Sequence, residues 1–176
     1  MGPLSELGRV MVFMDGSYLY HGMKNYGAET GQPNFHIDFQ KFVAQIAKGR
    51  PLAGAIYYCS MRVPPDPDQV KFLAYVRKCG IQVVEKPLKE KFDQRTQRLK
   101  QYEKGVDVAL ATDLVGLAWE GVYDIGVLVS GDADYTEAVR KLRGRGRGIE
   151  LVSWKRSCSK ELSQAALSTT FIDDFT

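Results

Sequence analysis

The hydrophobic positions of this chain form short continuous runs that alternate with longer stretches of helical spacing. Residues 10–14 and 125–129 are runs of the kind that a fully buried strand shows. Further predicted strands cover residues 53–59, 81–84, 149–154 and 169–172, and predicted helices begin near residues 18, 38, 67, 105, 134 and 159. This alternation of strands and helices predicts an α/β fold with a mainly parallel central sheet and helices on both faces.

One stretch, residues 124–143, combines a predicted buried strand with an acidic turn and a helix. The turn reads Ser130-Gly131-Asp132-Ala133-Asp134, and Asp134 with Glu137 has the spacing of a helix capping box. Ligands of open α/β sheets bind at the carboxyl ends of the strands, where this turn lies. Either acid could simply cap the helix, but this explanation fits Asp134 better than Asp132, which precedes the cap position. Asp132 is therefore the stronger candidate for a functional site.

Two other acids are candidates for the same site. Asp15 ends the first predicted strand, and Asp107 lies in the first turn of the helix that leads into residues 125–129. The first strand of a doubly wound sheet is usually central, so the loops after these two strands can approach each other. Asp107 has an equally good structural explanation, because a carboxylate stabilises a helix N-terminus. Candidate supporting residues, within the acidic loops or behind them, are Ser17, Ser130 and Asp113.

Clustered carboxylates need a compensating cation, because like charges otherwise force one of them to protonate. Mg²⁺ and Mn²⁺ prefer carboxylate oxygens and retain waters that can attack a phosphodiester, so either ion is the candidate cofactor. His21 and His36 are poorly placed to form a zinc pair. The three cysteines are scattered without a CxxC pair, which argues against a zinc site or a disulfide framework and fits a reducing cytoplasm.

Three motifs, FMDGSYLY, EKGVDVALATD and VLVSGDADYTEAV, occur in this order along the chain. They resemble the NYN branch of the PIN-like nuclease domains, in particular its LabA-like bacterial members, over roughly residues 9–155. The resemblance implies a Rossmann-like PIN fold and metal-dependent ribonuclease activity. It also implies metal ligands at Asp15, Asp107 and Asp132, with Asp134 adjoining them as a further catalytic acid. Many members have Asn where this chain has Tyr18, so an amide that would orient Asp15 is missing.

Two segments are rich in basic residues. Residues 86–104 are charged and lack a core-facing stripe, which predicts a long loop or a protruding hairpin, and residues 140–156 contain an Arg-Gly alternation. Both can flank the carboxyl edge of the sheet, where positive charge around an acidic pocket suits a phosphate backbone. Phe92 and Tyr102 could stack on bases. The basic residues selected as nucleic-acid contacts are Lys104, Arg143, Arg145 and Arg147.

The resulting hypothesis is a nuclease that hydrolyses nucleic acid, in the first place single-stranded RNA, by a metal-activated water. The alternative is a nucleic-acid-binding or protein-interaction module with the same fold and a weak or inactive site. A phosphatase of the haloacid dehalogenase type is disfavoured, because Phe13 stands where its nucleophilic Asp would be. A response-regulator receiver is disfavoured too, because the acidic pair beside its first strand is missing. A nuclease assay with and without Mn²⁺ separates the two remaining hypotheses.

Length and composition limit the domain organisation and the partners that this hypothesis allows. The 176 residues, 44% of them hydrophobic, suffice for the core of one domain, predicted over residues 9–176 after a flexible leader at residues 1–8. No apolar run approaches membrane-spanning length and the N-terminus lacks the apolar region of a signal peptide, so no membrane partner is expected. A homo-oligomer is compatible with these bounds.

Overall fold

Six parallel strands form the central sheet in the computed structural model, which describes residues 8–175. The strands of the protein are β1 (Val10–Asp15), β2 (Leu52–Met61), β3 (Gln82–Pro87), β4 (Lys89–Asp93), β5 (Arg98–Tyr102), β6 (Ile125–Val129), β7 (Gly148–Ser153) and β8 (Ser168–Phe171). The order across the sheet is β3-β2-β1-β6-β7-β8, while β4 and β5 pair separately. The predicted parallel α/β fold is confirmed. The predicted leader, residues 1–8, lies outside the described residues except for Gly8.

The described residues also form six α-helices. These are α1 (Gly16–Glu29), α2 (Phe39–Ala47), α3 (Pro67–Lys78), α4 (Val106–Trp119), α5 (Thr136–Arg143) and α6 (Lys160–Ala165). Asp66 caps α3 by accepting from the backbone N–H groups of Asp68 and Gln69, and Pro67 occupies the first turn, as the sequence predicts. None of the helices within residues 8–175 has the length and apolar character needed to cross a membrane.

The sheet separates two hydrophobic layers. Residues of β1 alternate between them, because successive side chains of a strand point to opposite faces. Val10, Val12 and Met14 pack in the layer with α1, α2 and α3, whereas Met11 and Phe13 pack in the layer with α4, α5 and α6. All six residues of β1 are buried, so the core fixes the position of Asp15 at its end.

The parallel strands all end at one edge of the sheet, which we call the carboxyl edge; the opposite edge is the amino edge. β1 pairs with β6, so Asp15 and the turn that follows Val129 are neighbours at the carboxyl edge. α4 starts at the same edge, because it leads the chain back to the amino end of β6. The fold thereby brings Asp15, Asp107 and the acidic turn to one side of the molecule.

Most of the charged segment 86–104 is an antiparallel hairpin formed by β4 and β5 outside the central sheet. It leaves the end of β3 and returns to the start of α4, so its base stands at the carboxyl edge. The side-chain amide of Gln101 donates to the carbonyl of Val63 at 3.0 Å, which attaches the hairpin to the loop after β2.

The helix after β6 begins later than the sequence predicts. Asp132 is the N-cap of a short 3₁₀ turn, Ala133–Tyr135, and its side chain accepts from the backbone N–H of Asp134 at 3.0 Å. α5 then begins at Thr136 without a side-chain cap. The prediction that Asp134 caps this helix in a capping box is wrong, because the tight turn uses Asp132 as its cap. Asp132 therefore has a structural role as well as its candidate role in a site.

Candidate functional site

Asp15 lies at the centre of the acidic group at the carboxyl edge and is only 5% exposed. It is both the last residue of β1 and the N-cap of α1, so its Oδ1 accepts from the backbone N–H of Tyr18 at 3.0 Å. Its Oδ2 accepts from the Ser130 hydroxyl at 3.1 Å. Gly16 makes this turn possible, since a Cβ there would lie 2.5 Å from the Tyr58 carbonyl oxygen. The carboxylate is thus held by the first turn of α1 and by the residue that follows β6.

Ser130 connects Asp15 to the acidic turn. Its buried hydroxyl donates to Asp15 and accepts from the backbone N–H of Asp132 at 3.3 Å. The next residue, Gly131, passes so close to the loop after β7 that a Cβ would lie 2.2 Å from the Ser157 carbonyl oxygen. The close packing of this turn therefore requires glycine between Ser130 and Asp132, independently of any chemical role of these two residues.

Tyr135 places a buried hydroxyl between two carboxylates. Its oxygen lies 3.2 Å from Oδ1 of Asp107 and 3.5 Å from Oδ2 of Asp15. A phenol carries one proton, so it can donate to only one of them at a time. Tyr135 was not predicted as a site residue, although it directly follows the acidic motif, because an aromatic residue at a helix start is ordinarily core. Tyr135 is indeed part of the core as well, with 1% exposure.

The pKa of Asp15 shows the electrostatic character of this group. Burial raises it, the Tyr18 N–H and the Ser130 hydroxyl lower it, and the negative charges of Asp107 and Asp132 raise it again, so that it stands above its ordinary value. The ionised form of Asp15 is therefore disfavoured in the metal-free protein. Burial and the same carboxylates raise the pKa of Tyr135, which keeps its hydroxyl a neutral donor.

A cleft of about 520 Å³ opens beside Asp15. Its lining includes Gly16 and Ser17 in the first turn of α1, Ser60 near the end of β2, and Glu103 between the hairpin and α4. Desolvation raises the pKa of Glu103, and the charges of Asp15 and Asp107 raise it further. Glu103 is thus a further acid of this edge, although in the sequence it is only one charge within a basic segment.

The other predicted site residues are placed less centrally. Asp113 lies further along α4 and accepts from the Tyr58 hydroxyl at 2.8 Å. Asp134 is exposed beside Asp132, and Lys104 is exposed just before α4. Within residues 8–175 the Ser17 hydroxyl makes no hydrogen bond to the acids, whereas the Ser130 hydroxyl donates to Asp15.

The arginine segment lies at the amino edge. Arg147 donates to Oδ1 of Asp124 at 3.2 Å and to the carbonyl of Tyr123 at 3.3 Å, and both partners precede β6. α5 carries the chain from the carboxyl edge to the amino edge, so its last residue, Arg143, and Arg145 beyond it lie at the amino edge. The expectation that Arg143, Arg145 and Arg147 flank the carboxyl edge is therefore wrong.

Tyr18 uses its side chain for structure. Its hydroxyl contacts Oγ of Ser153 at 2.6 Å, accepts from the backbone N–H of Trp154 at 2.9 Å and accepts from Oγ of Ser157 at 3.0 Å. It thus ties α1 to the loop after β7, while its backbone N–H holds Asp15. The tyrosine at this position does not supply the orienting contact that an amide would.

The acidic group is open in its present arrangement, yet its donors suit a divalent cation. Among residues 8–175, no three Asp, Glu, His or Cys side chains are grouped closely enough to hold an ion. The donors nevertheless fit a hard cation, since the charges of Asp107 and Asp132 act on a buried Asp15 carboxylate whose own charge is unfavourable, and carboxylate oxygens are the ligands such a cation prefers. Asp107 and Asp132 are exposed, and their carboxylates accept hydrogen bonds from the Tyr135 hydroxyl and the Asp134 backbone N–H, respectively. Exposed side chains change rotamer within nanoseconds, so the orientation of both carboxylates can change.

Comparisons with known proteins identify the class. The model of the NYN domain family matches residues 9–173, and the chain belongs to this family of PIN-like, nuclease-related domains. The low amplitude and bright protein LabA of Synechococcus elongatus is 26% identical over 160 residues, which cover 89% of this chain and 80% of LabA. A crystal structure of a protein of unknown function from Vibrio parahaemolyticus has the same fold, with a TM-score of 0.73 and 21% identity over 95% of this chain and 94% of that one.

Proposed function

We propose that this protein is a metal-dependent nuclease that hydrolyses phosphodiester bonds of single-stranded RNA. The observation that carries the proposal is the meeting of Asp15 and Asp107 at the one hydroxyl of Tyr135, with the charge of Asp132 acting on the same buried carboxylate. Such a group of acids is costly without a cation. Membership of a nuclease-related family agrees with this chemistry.

In this proposal Asp15, Asp107 and Asp132 hold Mg²⁺ or Mn²⁺, and Asp134 adjoins them. When bound, the cation supplies an activated water and neutralises charge on the phosphate. Asp15 provides the fixed ligand, because Tyr18 N–H and Ser130 hold its carboxylate in place. Ser130 also positions the backbone of Asp132. Asp107 would hold the cation with the carboxylate that accepts from the Tyr135 hydroxyl in the metal-free protein.

The cleft beside Asp15 supports a single strand as substrate. Aromatic side chains, Tyr20 and Phe72, line it together with polar groups such as His36 and Gln69. Single-stranded RNA is recognised through unstacked bases that stack on aromatic rings and form hydrogen bonds. A base can enter the cleft while its phosphate stays at the acids next to Gly16.

The test is single-turnover cleavage of a labelled single-stranded RNA with and without Mn²⁺. Asp132→Asn keeps the shape of the turn and should reduce cleavage at least about a hundredfold, on the order of 3 kcal/mol of transition-state stabilisation. Calorimetric titration should show Mn²⁺ binding that falls in Asp15→Asn, Asp107→Asn and Asp132→Asn. Equal cleavage and equal Mn²⁺ binding by parent and variants would refute the proposal.

One observation favours the second candidate, a nucleic-acid-binding or protein-interaction module with a weak site. The Tyr18 hydroxyl is committed to Ser153, Trp154 and Ser157, so no side chain at this position orients the metal ligands. RNA binding by the parent without cleavage in Mg²⁺ or Mn²⁺ would identify this second function.

A further inference from the structure

The β4–β5 hairpin has two chemically different faces. In an antiparallel pair, residues opposite each other share a face and successive residues alternate. The register places Lys91 opposite Lys100 and Asp93 opposite Arg98. The face that we call the basic face therefore carries Lys89, Lys91, Asp93, Arg98, Lys100 and Tyr102. The other face carries Glu90, Phe92, Leu99 and Gln101, and Gln101 attaches it to the body of the protein.

The positive charge of the basic face is poorly compensated. Its one acid, Asp93, pairs with Lys100 at 2.9 Å, and within residues 8–175 Lys89, Lys91 and Arg98 form no ion pair. Like charges directly opposite each other destabilise a strand pair, and an isolated two-stranded hairpin is only marginally stable. Such a local conflict is typical of a functional surface, and an anionic partner would relieve it.

The shape and position of the basic face suit a chain of phosphates. A concave surface of about 650 Å³ is lined by residues that include Lys91, Arg95, Lys100 and Tyr102. Tyr102 is 41% exposed, so its ring is accessible for stacking. Glu103 follows directly and belongs to the cleft beside Asp15. The basic face is thus continuous in sequence with the acidic edge.

We propose that the basic face of the hairpin binds the phosphate backbone of a single-stranded nucleic acid and leads it to the acidic edge. Lys91 and Lys100 contact phosphates, and Tyr102 stacks on a base at the foot of the hairpin. Clustered cations with an interleaved aromatic ring grip a single strand without reading its sequence. The route to the acids rests on the proposed function, whereas the binding itself does not.

The experiment measures binding in EDTA, so that cleavage plays no part. Lys91→Ala/Lys100→Ala removes the two opposed cations, and Lys78→Ala/Lys141→Ala removes the same charge from exposed helix ends at the amino edge. The ligand is a labelled single-stranded RNA of about 12 nucleotides, within the usual span of a single-strand site. Affinity is measured by fluorescence anisotropy between about 50 and 200 mM salt.

We expect the hairpin variant to bind on the order of tenfold more weakly at low salt. The slope of log affinity against log salt should fall by about 0.7 for each phosphate that the variant no longer neutralises. The control variant should match the parent, and thermal melts should show both variants folded. The stability of the hairpin variant should stay close to that of the parent, because the substitutions remove the repulsion between Lys91 and Lys100 and also the ion pair of Lys100 with Asp93.

The outcomes separate this inference from the proposed function. An unchanged affinity and slope in the hairpin variant, or an equal decrease in both variants, would overturn the role of the basic face even if the parent cleaves RNA. If the parent binds no single-stranded RNA, the role of the basic face is overturned too. An acidic protein then becomes the candidate partner of this face. A hairpin-specific decrease in a parent that cleaves nothing would support the inference and count against the nuclease.

Discussion

A single hydroxyl group, that of Tyr135, separates two carboxylates whose like charges would otherwise face each other. It contacts Asp107 and Asp15 from within the core, so the acidic edge is coupled to the packing of the domain. In the metal-free protein this hydrogen bond reduces the electrostatic cost of the two neighbouring carboxylates. The cation of the proposed function would reduce the same cost. The importance of Tyr135 should therefore depend on whether a cation is present.

Tyr135→Phe keeps the ring and removes the hydroxyl. In EDTA we expect a decrease of about 1.5–3 kcal/mol in stability, as for other hydrogen bonds to a charged group, and a Tm lower by several degrees. In Mn²⁺ the decrease should shrink, because the cation neutralises the carboxylates that the hydroxyl served. Differential scanning fluorimetry in EDTA and in Mn²⁺ measures both values.

Tyr123→Phe is the control, because Tyr123 is equally buried but its hydroxyl donates to the carbonyl of Leu114. Its Tm deficit should be the same in EDTA and in Mn²⁺. If Tyr135→Phe also shows the same deficit in both, its hydroxyl has no connection with a cation site.

Asp15 should make the stability of the metal-free protein depend on pH. Its pKa is raised in the folded state, mainly by burial, so the protonated form favours folding. That contribution is complete below the unfolded pKa, about 3.9, and is lost as the pH rises through the folded pKa. Asp15→Asn cannot ionise, so in EDTA it should melt above the parent near about pH 7 and lose this advantage towards about pH 4.

The control for this prediction is Asp93→Asn in the hairpin. Asp93 is half-buried, and its hydrogen bond with Lys100 holds its pKa below the ordinary value, which is the opposite direction. This variant should gain no stability near neutral pH. A parent that melts above Asp15→Asn in EDTA at neutral pH would contradict the stated cost of the Asp15 charge.

At the scale of elements, the sequence predicts the bounds of strands and helices best where an apolar run is bounded by residues that cannot extend it. β6 is predicted over residues 125–129 and is observed there, and α3 begins at its predicted Pro67. The start of α5 is not predictable in this way. The capping-box pattern at Asp134 predicts a helix start there. The turn, however, also depends on the contact of Gly131 with Ser157, which lies in the loop after a different strand, β7. Local patterns carry no information on such a long-range contact.

The turn after β6 should require glycine at position 131. A Cβ there would lie 2.2 Å from the Ser157 carbonyl and 2.6 Å from the Tyr18 hydroxyl, so Gly131→Ala must displace the turn that carries Asp132. We expect a decrease of about 1–3 kcal/mol in stability, as for other strained or overpacked substitutions. Mn²⁺ affinity, measured by calorimetry, should fall as well.

Gly144→Ala provides the matched glycine. Its φ is −62° and the nearest atom to an added Cβ is 3.5 Å away, so alanine fits without strain. It should be neutral or more stable by about 0.4–1 kcal/mol, with unchanged Mn²⁺ affinity. Equal effects of the two substitutions would contradict the tight contact at Gly131.

At the scale of the whole molecule, the sheet separates an acidic edge from an arginine-rich edge. The charge of the two basic segments predicts that both lie beside the acids. This prediction ignores the direction of the chain, which decides at which edge of the sheet a segment lies. A strand–helix–strand unit returns the chain to the amino edge, so the position of Arg147 follows from the predicted topology itself. The position of Glu103 does not, because the hairpin that delivers it is outside the regular alternation.

This separation predicts that the arginines have little influence on the acidic edge. A five-residue strand such as β6 spans about 17 Å, which exceeds the Debye length of about 8 Å at physiological salt. Arg143→Ala/Arg145→Ala/Arg147→Ala should therefore cleave and bind single-stranded RNA within about twofold of the parent at that salt. Its Tm should fall, because the hydrogen bonds from Arg147 to Asp124 and to the Tyr123 carbonyl are removed.

Single-turnover cleavage and anisotropy, measured beside Lys91→Ala/Lys100→Ala, test this expectation. The two sets of substitutions remove cations from opposite edges, so a protein with its substrate at the carboxyl edge should respond only to the hairpin variant. If the triple arginine variant instead loses affinity and salt dependence while the hairpin variant does not, the nucleic acid lies at the amino edge. The acids around Asp15 would then be remote from the bound strand, and a direct attack on its phosphates from that edge would be ruled out.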